Sequence, residues 1–94
     1  MKPIPQSYKQ AGYTMTLVRR EGNIAMYADP IKSYYEVHQV RVAKMKELFG
    51  RTIEEHETLA SSEEFGNRAF ACSSLEVAES RFAELRSRPS EVRD

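Results

Sequence analysis

The chain has 94 residues, 40% of them hydrophobic, with 14 basic and 14 acidic side chains and a formal net charge of zero. One small core is feasible at this length without staples. Charge balance argues against strong non-specific attraction to nucleic acid or anionic membranes, and the single cysteine, Cys72, excludes an intrachain disulfide and a cysteine metal cluster.

Residues 1–12 carry Pro3, Pro5 and Gly12 and read as an extended arm that orders by docking, with Ile4 and Tyr8 as anchors. The folded core is expected over residues 13–87 and a polar tail over 88–94. Residues 13–20 alternate, with Tyr13, Met15 and Leu17 against Thr14, Thr16 and Val18, and are rich in β-branched and aromatic side chains, so they form a strand. Glu21-Gly22-Asn23 interrupts, and Ile24, Met26 and Ala28 alternate with Ala25 and Tyr27; the two runs make a β-hairpin. Asp29-Pro30 ends the second strand. Residues 33–42 are a third strand in which Tyr35 and Val37 share one face while Val40 and Val42 fall on the other, so a bulge near His38-Gln39 is expected. A helix starting near Glu36 is the competing reading. Residues 43–49 read as one or two helical turns or as a loop, because Lys44, Lys46 and Glu47 are good helix formers and Gly50 is a stop. Residues 51–60 are polar, with Ile53 and Leu59 as anchors and room for a short edge strand. Ser61 and Glu64 pair as a capping box over one turn that Gly66 ends, with Phe65 at the core edge. Residues 67–72 form a fourth strand.

The best-specified element follows. Ser73 and Glu76 make a second capping box, with Cys72 and Val77 as its hydrophobic staple. Leu75, Ala78, Phe82 and Leu85 are spaced three, four and three apart, which puts them on one helical face. Arg86 and Arg88 favour the negative end of the helix dipole, and Pro89 stops the helix near Ser87. Four turns with one apolar face need a cover. The fold class is therefore α+β: a three- to four-stranded antiparallel sheet with one C-terminal amphipathic helix on a face, its apolar stripe against Met15, Leu17, Met26, Val37 and Phe70.

Chemistry-bearing residues are sparse. Glu54-Glu55-His56-Glu57 is the densest ionisable cluster, but its spacing matches no ligand pattern, and the four glycines form no phosphate loop. Serines 61, 62, 73 and 74 are accounted for as helix caps. Cys72, in a short apolar strand, reads as a buried structural thiol. No catalytic, cofactor-binding or metal-binding residue is assigned. Five tyrosines without tryptophan suggest a contact surface. Of the adjacent Tyr34 and Tyr35, one must point away from the core. Arg19, Arg20, Lys44, Lys46 and Arg51 join them as the candidate partner-binding set.

The segments YEVHQVR, SSEEFGNRAF and SLEVAESRFAEL resemble small uncharacterised accessory proteins of bacteriophage and mobile-element genomes, over about residues 13–87. The resemblance implies binding to a host protein, as in phage inhibitors of host defence complexes such as CRISPR effectors. The first reading is accordingly a non-catalytic protein–protein interaction module, of the kind that inhibits a host defence complex (anti-CRISPR-like). The alternatives are a nucleic-acid-binding accessory domain using Arg19, Arg20, Lys44, Lys46 and Arg51, and last a small metal-dependent enzyme using His38, His56 and Glu57. With no 18-residue apolar run and no apolar signal core in MKPIPQSYKQ, a membrane partner is not expected, and the location is cytoplasmic, in the host if phage-encoded. A homodimer is also expected, because residues 13–17 lack charge and proline and offer an open sheet edge or a tyrosine face. The competing reading is that the N-terminal arm covers that edge and leaves a monomer.

Overall fold

A two-residue reversal at Gly22-Asn23 sets the centre of the fold. Gly22 has a φ of 57°, in the left-handed region, and it turns β2 (Tyr13–Glu21) back as β3 (Ile24–Asp29). The computed structural model describes residues 2–88. β3 is the middle of a five-stranded antiparallel sheet ordered β1-β2-β3-β4-β9. The outer members are β1 (Ser7–Gln10), β4 (Tyr34–Gln39) and β9 (Ala69–Cys72). Every residue of β3 is buried, because both faces of the sheet are covered at its centre. The helix α1 (Leu75–Ser87) packs on one face. Ile24, Met26, Val37 and Cys72 meet Ala78, Phe82 and Leu85 there, with Tyr35 and Phe70 at the margin. The other face gathers Ile4, Met15, Ala25, Tyr27 and Val40, flanked by Tyr8, Tyr13, Leu17, Tyr34 and Leu59.

The α+β class, the antiparallel sheet and the C-terminal helix packed on it are as the sequence led one to expect. Several details differ. The sheet has five strands where three or four are expected, because β1 comes from the N-terminal arm. Tyr8 pairs with Met15 and Ser7 with Thr16, which covers the uncharged edge of β2. Met15 and Leu17 lie on the face away from the helix, since the register sets Leu17 against Tyr27. The bulge falls in β2 between Leu17 and Arg19, leaving Val18 exposed, and β4 pairs with β3 without a shift from Tyr34 to Gln39. No phase change occurs near His38-Gln39: Val40 stays on the face opposite Val37, where a second core of Ile4, Met15, Ala25 and Tyr27 covers it, and its amide donates to the Asn23 carbonyl at 2.6 Å. Ser74 caps the helix, one residue later than the Ser73 box: its side chain accepts from the Val77 amide at 3.2 Å. Leu75 is consequently half exposed, and Ala78, Phe82 and Leu85 alone are buried from α1. At the earlier turn the Glu64 carboxylate does accept from the Ser61 amide at 2.9 Å. Apart from Arg88, the polar tail lies outside the described residues.

Residues 43–49 are neither helix nor loop. β5 (Arg41–Ala43) pairs with β8 (His56–Thr58), and β6 (Lys46–Leu48) pairs with β7 (Arg51–Ile53). Ala43 stands opposite His56 and Lys46 opposite Ile53, so the two short ladders keep one register across a two-residue gap in each strand. Helix-forming lysines lose here to the pairing of a long hairpin, which satisfies more backbone groups than one isolated helical turn. This hairpin is an arm rather than part of the sheet: residues 44–52 are all exposed. Its base is tied down. The Lys2 amide donates to the Glu55 carbonyl at 3.4 Å, and the Glu57 amide donates to the Lys2 carbonyl at 2.8 Å. Glu57 also accepts the Ile4 amide at 3.2 Å and both terminal nitrogens of Arg20 at 2.7 Å. Among the described residues no helix is long and apolar enough to cross a membrane.

Candidate functional site

Two places concentrate polar or exposed aromatic chemistry: a buried network on the sheet and the tip of the arm. The network centres on Glu36, only 3% exposed. Strand alternation points Glu36, Tyr34 and His38 to the face away from the helix, and β1 brings Tyr8 over them. The Tyr8 hydroxyl donates to one carboxylate oxygen, and the Tyr34 hydroxyl donates to the other at 2.9 Å. His38 Nδ1 accepts the Ala60 amide at 3.3 Å, which leaves its Nε2–H to donate to Glu36 at 3.1 Å. The rings of Tyr27 and Phe65 stand edge-on to His38 at 5.9 and 5.5 Å. Tyr27 donates to the Pro5 carbonyl at 2.6 Å and so anchors the N-terminal segment.

Burial pushes the Glu36 carboxyl up, but the hydrogen bonds from His38, Tyr8 and Tyr34 outweigh it and hold the group below its ordinary range. Burial pushes the Tyr34 hydroxyl up to about 12, with Glu36 adding to the shift, and raises Tyr8 further still. The Tyr27 hydroxyl is likewise pushed up to about 12 by burial. The three donors converge on one carboxylate, and this network locks β1 and the segment before β9 onto the sheet.

The seven candidate contact residues are divided. Tyr34 stacks on Tyr13 with centroids 4.1 Å apart, and Tyr35 packs at the margin of the helix-side core. Arg19 lies 4.2 Å over the Phe82 ring and pairs with Glu21 at 2.7 Å, while Arg20 is clamped to Glu57. Lys44, Lys46 and Arg51 stand together on the arm, exposed and without an ion pair among the described residues. The Glu54-Glu55-His56-Glu57 cluster is split by strand alternation: Glu57 turns inward to Arg20, and the His56 ring contacts the Glu54 carbonyl at 3.0 Å. A cleft of about 340 Å³ lies there, lined by Lys2, Ile53, Glu54, Glu55 and His56. Among the described residues no group of three or more His, Cys, Asp or Glu side chains is arranged to hold a metal ion. Cys72 is buried, and burial raises its thiol above the ordinary value despite Arg81 nearby. Native protein is expected to react with a thiol reagent at least about 100-fold more slowly than the unfolded chain; comparable rates would show Cys72 to be accessible.

The arm tip brings together residues that sequence reading passed over. Phe49 is 93% exposed, and Met45, Leu48 and Val42 are 64%, 44% and 46% exposed along the same arm. Phe49 and Gly50 occupy the turn between Leu48 and Arg51 with φ of 54° and 75°, both left-handed. A two-residue hairpin turn of this kind is normally filled by Asn-Gly or Asp-Gly. An aromatic ring held in the left-handed region costs about 1 kcal/mol, and here it gains no packing within the chain. The available signal was the pair Phe49-Gly50 between segments that alternate about a common centre, Lys46-Glu47-Leu48 and Arg51-Thr52-Ile53. Fold and site thus define an α+β domain bearing a projecting β-arm with an apolar, cation-flanked tip. No family model, curated protein or solved structure matches the chain.

Proposed function

We propose that this chain is a non-catalytic protein–protein interaction module whose contact element is the arm. The observation that carries the reading is Phe49, an exposed aromatic in a left-handed turn, with exposed Leu48 next to it and exposed Met45 further down the same limb. Backbone strain and exposed apolar surface that do nothing for the fold are what a contact site displays. Lys44, Lys46 and Arg51, without an ion pair among the described residues, give the arm orientation and specificity toward a partner surface. The resemblance to phage accessory proteins directs the reading to a host complex, with a defence complex of the CRISPR type as the first candidate. Affinity capture from host-cell extract tests it. Wild-type protein is expected to retain a protein partner stoichiometrically, and Phe49→Asp to lose it. The unfolding free energy of that variant should stay within about 0.5 kcal/mol of wild type, because the ring touches no core residue. Capture undiminished by Phe49→Asp would remove the arm from the interface.

The nucleic-acid reading keeps one supporting observation, the three cations beside an exposed aromatic ring, which could hold phosphates and stack a base. It predicts binding of labelled single-stranded DNA or RNA that falls steeply with salt. Two of its five cations, Arg19 and Arg20, are already engaged by Glu21 and Glu57.

A further inference from the structure

The ladder of β6 and β7 sorts the distal residues of the arm onto two unlike faces. Residues opposite one another in an antiparallel pair share a face, and successive rungs alternate. Lys46 stands opposite Ile53 and Leu48 opposite Arg51, so these four share one face; Glu47 and Thr52, the rung between them, take the other. On the first face the two cations lie on one diagonal and the two aliphatic side chains on the other. Lys46, Leu48 and Arg51 are exposed and Ile53 is half-buried. Neither cation has an ion pair among the described residues. The second face offers one carboxylate and one hydroxyl and no apolar side chain. The ribbon is therefore basic and aliphatic on one side and weakly acidic on the other.

A cationic diagonal crossed by an aliphatic one is matched by a protein surface that sets carboxylates beside an apolar strip. A phosphate backbone supplies the anions without the aliphatic counterpart, and zero net charge on the chain gives no long-range pull toward it. Size adds a second constraint. Three rungs at about 3.4 Å per residue make a face about 10 Å long, and two strands about 4.8 Å apart make it about as wide. That footprint is several-fold smaller than the roughly 800 Å² that a specific interface buries on each partner. Laid on a flat surface, the face would not hold. Inserted into a cleft, the ribbon has its tip, its basic face and its edges covered together.

We infer that the arm enters a cleft of its protein partner with Phe49 leading, and that the wall met by Lys46 and Arg51 is acidic. Leu48 and Ile53 lie against an apolar strip of that wall, and the face of Glu47 and Thr52 turns to the open side. The inference rests on the reading of the arm as a protein-contact element; it adds which face is used and the chemistry of the surface that receives it.

The test uses full-length protein and whatever partner wild type retains from nuclease-treated host-cell extract, identified by mass spectrometry and purified. Lys46→Glu/Arg51→Glu is expected to weaken binding at least about 30-fold, chiefly through the association rate. Glu47→Lys/Thr52→Lys, the same number of changes on the opposite face, should stay within about 3-fold of wild type. Lys46→Gln/Arg51→Gln should fall between the two, which keeps the result readable if charge reversal disturbs the ribbon. Benzoylphenylalanine at Leu48 should give adducts to a partner segment rich in Asp and Glu, and at Thr52 none. Equal losses from the two charge variants, indifference to Lys46→Glu/Arg51→Glu, or adducts on a basic segment would overturn the acidic cleft. The interaction reading survives any of these if the partner is still lost with Phe49→Asp. A ligand that disappears on nuclease treatment would be a nucleic acid and would also overturn the cleft. Retention of no protein by wild type would end both.

Discussion

Replacing Phe82 by alanine is expected to destabilise the protein by about 3–5 kcal/mol, the range for deleting a buried aromatic ring. Phe82 is 1% exposed and sits where α1 crosses the sheet. The ring also carries the Arg19 guanidinium at 4.2 Å, a contact worth about 0.5–1 kcal/mol at an exposed site. A domain of this length has about 5–14 kcal/mol of stability in all. The variant should therefore unfold at far lower urea, with its helical circular dichroism lost in the same transition. Leu75→Ala is the internal control, because Leu75 belongs to the same sequence stripe but is 47% exposed. It should change stability by less than about 1 kcal/mol. Equal losses at the two positions would mean that the helix is not seated as described.

The second large effect belongs to Glu36. Glu36→Leu leaves the hydroxyls of Tyr8 and Tyr34 and the Nε2–H of His38 without their shared acceptor in a buried site. Stranding several buried donors at once is expected to cost about 3–5 kcal/mol. The thermal midpoint should fall by roughly 12 °C or more, at about 4–8 °C per kcal/mol. The pH dependence has a definite sign. The folded carboxyl titrates below its ordinary value of 4.5, so the stability it contributes is fully present above that pH and is lost as pH falls through the folded value. Glu36→Gln removes this component, and its stability should decline less steeply than wild type below pH 4.5. Further acid sensitivity comes from Glu57, held low by Arg20, from Glu21, held low by Arg19 and Arg86, and from Glu64, which Arg68 and the Ser61 amide hold down at about 2. A Glu36→Leu protein within about 1 kcal/mol of wild type would show that the network does not hold the fold together.

The sheet centre and the helix were legible because their signals are local. Alternation over residues 13–28, a glycine between two strands and a three-four-three stripe each report on neighbours a few residues apart. The errors arose where partners are distant in sequence. Whether Met15 faces the helix depends on the bulge at Val18 and on which face α1 selects, neither of which is written in residues 13–20. Tyr8 reads as an anchor from the sequence, but its partner Glu36 lies 28 residues away and only the sheet order brings them together. Lysines 44 and 46 favour a helix in isolation, and pairing with residues 51–53 overrides that preference. The candidate contact residues divided for the same reason. Arg20 reads as a free cation until the hairpin returns Glu57 to it across 37 positions. Phe49 reads as the end of a helical turn until the register shows that it caps a hairpin with nothing to pack against.

The arm explains why so much of the middle of the chain is exposed. An isolated two-stranded hairpin is marginally stable in water, and β6 and β7 pair only with each other. Their order depends on the tied base at Lys2, Glu57 and Arg20 and, in the reading proposed above, on the surface the tip covers.

Site-specific photo-crosslinking tests that central claim most directly. Benzoylphenylalanine is placed at Phe49 in one protein and at Ala83, an exposed position on α1, in another. Irradiation in host-cell extract is expected to give discrete protein adducts from residue 49 and none from residue 83, with the residue-49 adducts lost when Lys44 and Lys46 are both replaced by glutamate. Adducts absent from residue 49, or identical from the two positions, would contradict the arm as the contact element.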